Sequence, residues 1–213
     1  MAELDHLELN NIAGLHPHTK VPTYELKKRM LDLVFCCLLI LLTFPIALVI
    51  SAYIKLVSDG PAIFRQVRIG RKGVPFIAHK FRSMHEDAEG SLDTIFDDDE
   101  RIIPGGRFLR ATHLDELPQL WNVLRGEMSL VGPRPRPPEV DHEWICVDHM
   151  YLNRRLVRPG ITGPAQLSGR SVSREEKREA ILLEHDYVHN WSPWRDIAIL
   201  AMTVPEVLSR KGV

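Results

Sequence analysis

At 213 residues the chain is long enough to bury one core of ordinary size and leaves no comfortable room for a second catalytic domain. A formal net charge of -1 excludes a general nucleic-acid binder, whose footprint is strongly basic, so any basic patch is local. The three cysteines, Cys36, Cys37 and Cys146, form no CxxC or Cys/His spacing, which argues against a zinc site and a disulfide framework.

Residues 1–23 are polar, lack apolar periodicity and read as a loosely held tail. From Leu33 to Ile54 the chain runs uncharged for about 33 Å as a helix at ~1.5 Å per residue, enough to cross a bilayer. Pro45 lacks the N–H that would bond the Leu41 carbonyl and its ring crowds that turn, so a bend or break into two half-helices is expected there. Lys27, Lys28 and Arg29 precede the run, and Lys55, Arg65, Arg68, Arg71 and Lys72 follow it, without the asymmetry of a simple crossing. Both a re-entrant hairpin over 24–57 and a proline-kinked single span fit these residues. A cleaved signal peptide does not, because the run starts late and lacks a small-residue exit. Asp32 is expected either to pair with Arg29 on the same helical face or to stay a surface charge.

After Gly60-Pro61, Ile63–Ile69 and Val74–Lys80 read as two strands joined through Gly70-Arg71-Lys72-Gly73, a hairpin. Lys80 and Arg82 alternate across Phe81, which would place two cations on one strand face with Phe81 packed inward, or along a solvated edge. Asp97-Asp98-Asp99-Glu100 is an acid run in a hydrophilic connection, a solvated loop rather than a cation site. Within Leu114 to Leu124, Leu117, Leu120, Trp121 and Leu124 recur at helical spacing, and Thr112 with Asp115 resembles a capping box. Met128 to Pro138 and Arg158 to Pro164 carry too much proline and glycine for helices and are expected to be rigid loops. Arg174–Glu184 is helical by propensity, and Asp196–Leu208 is apolar enough to lie on the core or on the membrane surface.

The chemical residues concentrate around Asp115-Glu116. Two acids in the first turn of a helix complement its dipole and need do nothing more. Neighbouring helical residues diverge by roughly 100°, so the pair cannot grip one atom equally but can divide labour between a reacting phosphorus and a metal. Arg110 before them, and Arg134 and Arg136 held between prolines after them, suit the neutralisation of phosphate oxygens. His113 reads as a packing or capping residue rather than a general base.

The chain resembles the bacterial sugar transferases, the monotopic phosphoglycosyl transferases, from Tyr24 to Gly212. The resemblance rests on Lys28-Arg29-Met30-Leu31-Asp32, Phe64-Arg65-Gln66, Lys80-Phe81-Arg82-Ser83-Met84, Leu114-Asp115-Glu116-Leu117-Pro118-Gln119-Leu120, Ser129-Leu130-Val131-Gly132-Pro133-Arg134-Pro135 and Arg158-Pro159-Gly160-Ile161-Thr162-Gly163, in that order. It implies a mixed α/β, helix-rich fold with a small β-hairpin, interfacial amphipathic helices and a re-entrant, proline-broken membrane helix. A catalytic domain over 58–213 would face the cytoplasm at the bacterial inner membrane. It implies transfer of a sugar 1-phosphate from a UDP-sugar to undecaprenyl phosphate with release of UMP, Mg2+ as cofactor, and a role in starting surface polysaccharide or glycoconjugate assembly. Asp115 would be the nucleophile, Glu116 the magnesium ligand, and Lys80, Arg82, Arg110, Arg134, Arg136 and Arg158 the substrate-binding cations. A homo-oligomer is compatible with this reading. Ala111-Thr112-His113, where the family often has Lys-Thr-Ser, and the extra Arg136-Pro137-Pro138 depart from the family pattern without touching the acids. A catalytically silent membrane scaffold and a metal-dependent phosphohydrolase are the competing expectations.

Overall fold

A computed structural model describes residues 24–85, 101–169 and 173–208; the polar tail and the acid run at 97–100 lie outside them. The first element, α1, is a helix over Tyr24–Val57, 34 residues long, with Pro45 inside it. The expected break into two half-helices does not occur. Proline deletes a single backbone bond, and the apolar sequence on both sides carries the helix through it. Leu26–Val57 is long and apolar enough to cross a membrane by length and composition.

The burial of α1 follows one stripe at four-residue spacing. Lys28, Asp32 and Cys36 are buried at its start, and Ile50 and Ile54 at its end. Cys36 joins a core of Leu120, Val123, Met128, Leu130, Val131 and Tyr187, while Ile50 and Ile54 join a second core with Phe81, Ile103 and Leu109. Both ends therefore rest on one globular body. Between them Leu41, Leu42, Phe44, Ile46, Leu48 and Val49 stay exposed.

Strands β1 (Ile63–Ile69) and β2 (Pro75–Phe81) form the expected antiparallel hairpin, with Phe64 opposite Lys80 and Arg68 opposite Phe76. The turn between them is a short 3₁₀ segment, Arg71–Gly73, in which Lys72 and Gly73 both take positive φ. Helix α2 (Gly106–Ala111), a 3₁₀ turn (Leu114–Glu116) and helix α3 (Gln119–Arg125) follow. The helix expected within Leu114 to Leu124 is α3, which starts at Gln119 after Pro118; the residues before it form the 3₁₀ turn. Leu120 is buried and Leu117 and Leu124 pack on the core, but Trp121 is 55% exposed. The Thr112–Asp115 capping box does not form. Thr112 caps the end of α2, its hydroxyl donating to the Phe108 and Leu109 carbonyls.

Two stretches expected to be loops each contain a short strand. β3 (Ser129–Val131) pairs in parallel with β4 (Gly160–Thr162), and a Cβ on Gly160 would lie 2.1 Å from the Gly132 nitrogen, so only glycine permits this approach. The crossover between them holds α4 (Pro138–Val147) and a 3₁₀ segment (His149–Leu156). The short α5 (Pro164–Leu167) precedes α6, which runs Arg174–His189 from a true capping box of Ser173 and Glu176. In the last helix, α7 (Pro193–Leu208), Asp196 and Ile199 are buried while Trp194, Ile197, Met202 and Val204 are exposed, an amphipathic division.

Candidate active site

Asp115 and Glu116 sit in the 3₁₀ turn that follows α2, and both are buried, 8% and 6% exposed. His113 starts that turn in the left-handed region at φ 54, where a residue other than glycine is strained, and caps it through its backbone alone. The two carboxylates have different surroundings. Glu116 Oε1 accepts from Lys80 Nζ at 2.6 Å and from Arg134 Nη2 at 2.7 Å, while Oε2 carries no hydrogen bond among the described residues. Burial alone would raise the Glu116 carboxyl, but the positive charges of Arg134 and Lys80 more than offset it and hold it well below the usual carboxylate range. Asp115 makes no hydrogen bond among the described residues. Its carboxyl is raised by burial and by the charge on Glu116, against the lowering effect of Lys80, Arg110 and Arg134.

The cations reach the site from three elements. Lys80 comes from β2, and Arg110 from the last turn of α2, where Nη1 lies 3.3 Å from Met84 Sδ. Arg134 follows β3 on a loop fixed at its backbone: Arg154 donates to the Arg134 carbonyl, Arg68 Nη1 to the Pro135 carbonyl at 3.0 Å, and the Ile69 N–H to the Arg136 carbonyl at 2.9 Å. The proline-alternating segment is thereby held on acceptors that prolines retain. Arg68 also belongs to the site's charge field, pushed down to about 10 by burial and by Arg134. Sequence reasoning counted Arg68 only as a flank of the apolar run. The signal was available, because Gln66 and Arg68 share the strand face of Phe64, which lies opposite Lys80. Arg154, buried over the Tyr151 ring and 3.4 Å from Glu184, left no such signal.

Three of the cations expected at the site stand elsewhere. Arg82 is 4% exposed and donates to the carbonyls of Ser58 and Asp59, just past the end of α1. It supports the exit of that helix and does not accompany Lys80, because β2 ends at Phe81 and alternation need not persist beyond it. Arg136 lies 3.4 Å from the centroid of the Trp144 ring, pushed down to about 10 by burial and the neighbouring Arg154. Arg158 donates to the Gly126 carbonyl at 2.9 Å, at the end of α3, and lines a different pocket. Asp32 likewise does not pair with Arg29. It takes Lys28 at 3.4 Å, the Ser129 hydroxyl at 2.8 Å and the Leu130 N–H at 3.2 Å, while Arg29 donates to the Val123 and Leu124 carbonyls at the end of α3.

No group of three or more His, Cys, Asp or Glu suited to a metal occurs among the described residues. Among the described residues, the protein ligands available at the acid pair are therefore two carboxylates, Asp115 and Glu116 Oε2. A small hard cation that keeps its waters and binds substrate phosphates requires no more. The donor set fits magnesium. The arrangement as a whole offers an unbonded carboxylate beside a pinned one, facing cations matched to phosphate oxygens.

The family model for bacterial sugar transferases matches residues 23–210. The UDP-glucose:undecaprenyl-phosphate glucose-1-phosphate transferase of Caulobacter vibrioides is 44% identical over 189 residues, covering 87% of this chain and 71% of the relative. The UDP-N-acetylgalactosamine-undecaprenyl-phosphate N-acetylgalactosaminephosphotransferase of Aeromonas hydrophila is 36% identical over 214 residues, 99% of this chain and 49% of its own length. The undecaprenyl-phosphate galactose phosphotransferase of Salmonella typhimurium is 40% identical over 202 residues, 87% of this chain and 41% of its own length. The chain thus spans less than half the length of the last two relatives.

Proposed function

The chain belongs to the bacterial sugar transferase family, and on that premise we propose that it transfers a sugar 1-phosphate from a UDP-sugar to undecaprenyl phosphate, releasing UMP, through a covalent intermediate on Asp115. The observation that carries this reading is the asymmetry of the acid pair: Glu116 is pinned by Lys80 and Arg134, whereas Asp115 is buried with no hydrogen bond among the described residues. A nucleophilic carboxylate needs an oxygen pair uncommitted to protein donors, close to charges that lower its repulsion from an anionic substrate. Asp115 meets both conditions.

In the first step an Asp115 carboxylate oxygen bonds to the sugar-linked phosphorus as the bond from that phosphorus to the UMP oxygen breaks. In the second, a phosphate oxygen of undecaprenyl phosphate bonds to the same phosphorus and the aspartyl oxygen leaves, restoring Asp115. Bound magnesium would supply charge neutralisation on the phosphate oxygens, held by Glu116 Oε2 with Asp115 alongside. Arg134 and Lys80 hold Glu116 ionised and in place, and Arg110 adds positive charge at the nucleophile. Three relatives named for glucose, N-acetylgalactosamine and galactose are 36% to 44% identical to this chain over the aligned residues, so the common core serves several hexoses.

The same reading has α1 seated in one leaflet, with both of its ends and the catalytic domain on the cytoplasmic face. What supports it is that Lys28, Asp32 and Cys36 toward one end and Ile54 at the other are buried against the same body, with the apolar middle facing outward. The exposed apolar side of α7 suits the membrane surface. The test of function is UMP release by the purified chain with Mg2+, undecaprenyl phosphate and a panel of UDP-sugars. At least one donor should give repeated UMP release only when the lipid phosphate is present, and no more than one UMP per enzyme without it; silence across the panel would end the reading. For topology, cysteines placed before residue 23 and after residue 208 should label from the same side.

A further inference from the structure

A pocket of about 730 Å³ lies on the other face of the β1–β2 hairpin from the acid pair. His79 lines it, whereas its neighbour Lys80 reaches Glu116, and successive strand residues point to opposite faces. Arg65 lies opposite His79 in the hairpin register, and Arg65, Arg71, Arg125 and Arg158 all line the same pocket. Among the described residues Glu127 is the one carboxylate in its lining, and that carboxylate is already engaged, by Asn122 Nδ2 at 2.6 Å and by Arg125 Nε at 3.4 Å. Leaving aside Arg71, whose Nε donates to the Leu156 carbonyl, three arginines face this single carboxylate among the described residues. The scaffold holding it is rigid: buried Asn122 also accepts from the His79 N–H at 3.1 Å and donates to the Ile77 carbonyl at 2.7 Å.

From this geometry we propose that the pocket is a binding site for a phosphate-bearing anion, separate from the catalytic site. Guanidinium forks match phosphate oxygens in pairs, and an anion relieves the mutual repulsion of Arg65, Arg125 and Arg158. Two sources share this chemistry, an anionic phospholipid headgroup and a soluble phosphate. The pocket adjoins the membrane helix: its Gly126 wall would bring a Cβ to 3.6 Å from Arg29 Nη2 of α1, and exposed Trp121 precedes Arg125 by one turn of α3. Apolar Phe76 and Ile77 in the lining suit a ligand with an uncharged portion.

The test uses the full chain in dodecyl maltoside micelles, with melting temperature followed against dioctanoyl phosphatidylglycerol, dioctanoyl phosphatidylcholine and inorganic phosphate. The wild type should be stabilised by phosphatidylglycerol, by phosphate or by both, beyond the effect of phosphatidylcholine. Phosphatidylglycerol alone identifies the lipid source, phosphate alone the soluble one, and both together a site for the bare phosphoryl group. In R65Q/R125Q, which changes two exposed side chains, the concentration giving half the shift should rise about tenfold or more while UMP release stays unchanged. No stabilisation of the wild type beyond phosphatidylcholine, or an undiminished response in R65Q/R125Q, would overturn the proposal. Because UMP release is read separately, loss of the pocket and loss of the transferase reading remain distinguishable.

Discussion

Two buried ionic clusters of this protein are built on opposite principles. Beneath the start of α1, Lys28 bonds Asp196 at 2.7 Å and lies 3.4 Å from Asp32. Asp32 also takes Ser129 and Leu130, and Asp196 takes Tyr187 and Trp191. Every charge there has partners, as a buried network requires. At the acid pair Glu116 is equally well held, but Asp115 is buried beside it without a hydrogen bond among the described residues. The first cluster fastens α1 to β3 and α7. The second keeps one carboxylate without a protein donor beside a held one, an arrangement that leaves Asp115 available to a substrate.

The sharpest way to break this contrast is Asp115→Asn. Loss of the nucleophile should lower UMP release by about a thousandfold or more, while the melting temperature holds or rises because a raised, unpartnered carboxylate has been removed. Turnover near wild type in that variant would remove Asp115 from the chemistry. Lys28→Met should do the reverse, costing roughly 3–5 kcal/mol of stability by leaving Asp196 and Asp32 unpaired, with activity per folded molecule largely retained. Denaturant titration alongside single-turnover kinetics separates the two effects.

A smaller effect is expected at Arg82. Arg82→Gln should cost about 1–3 kcal/mol through the Ser58 and Asp59 carbonyls, without changing the KM for the UDP-sugar; a large rise in KM would return Arg82 to the substrate site. The pH dependence sharpens the comparison within the acid pair. Burial raises Asp115, so its ionised fraction, and UMP release with it, should increase with pH through a midpoint above the ordinary aspartate value of ~3.9. Glu116 is depressed, so its stabilisation is complete above the unfolded glutamate value of ~4.3 and is lost only as pH falls below that, toward its folded value. Glu116→Gln should therefore lower the melting temperature at pH 7 and lose that difference in strong acid.

How far the sequence reaches is visible residue by residue. Alternation in β1 and β2 with glycines between them announced the hairpin, and Phe81 is buried as its position required. The acid pair, Lys80, Arg110 and Arg134 were all legible as chemistry, and the fold does bring them together. Arg82 was misplaced because a strand's alternation gives a direction only while the strand lasts. Trp121 was misplaced because helical spacing alone does not show how wide the buried stripe is: Leu120 and Leu124 of α3 pack on the core, while Trp121 at the edge of that stripe is left exposed. The strands Ser129–Val131 and Gly160–Thr162 were hidden because three residues show no period, and their pairing spans a crossover with its own helix.

The sequence by itself determined the parts governed by local chemistry: an apolar segment long enough for a membrane, a β-hairpin, and a carboxylate pair among arginines. Tertiary structure alone decided the partners. Pro45 permits a bend, but only the packing of Cys36 at one end and Ile54 at the other shows that α1 lies against a single body as one helix. Arg134 and Arg158 are alike in sequence, yet one reaches Glu116 and the other lines a pocket across the hairpin. A charge acts over a few ångströms, and those distances join residues far apart along the chain, so their assignment exists only once the chain is folded.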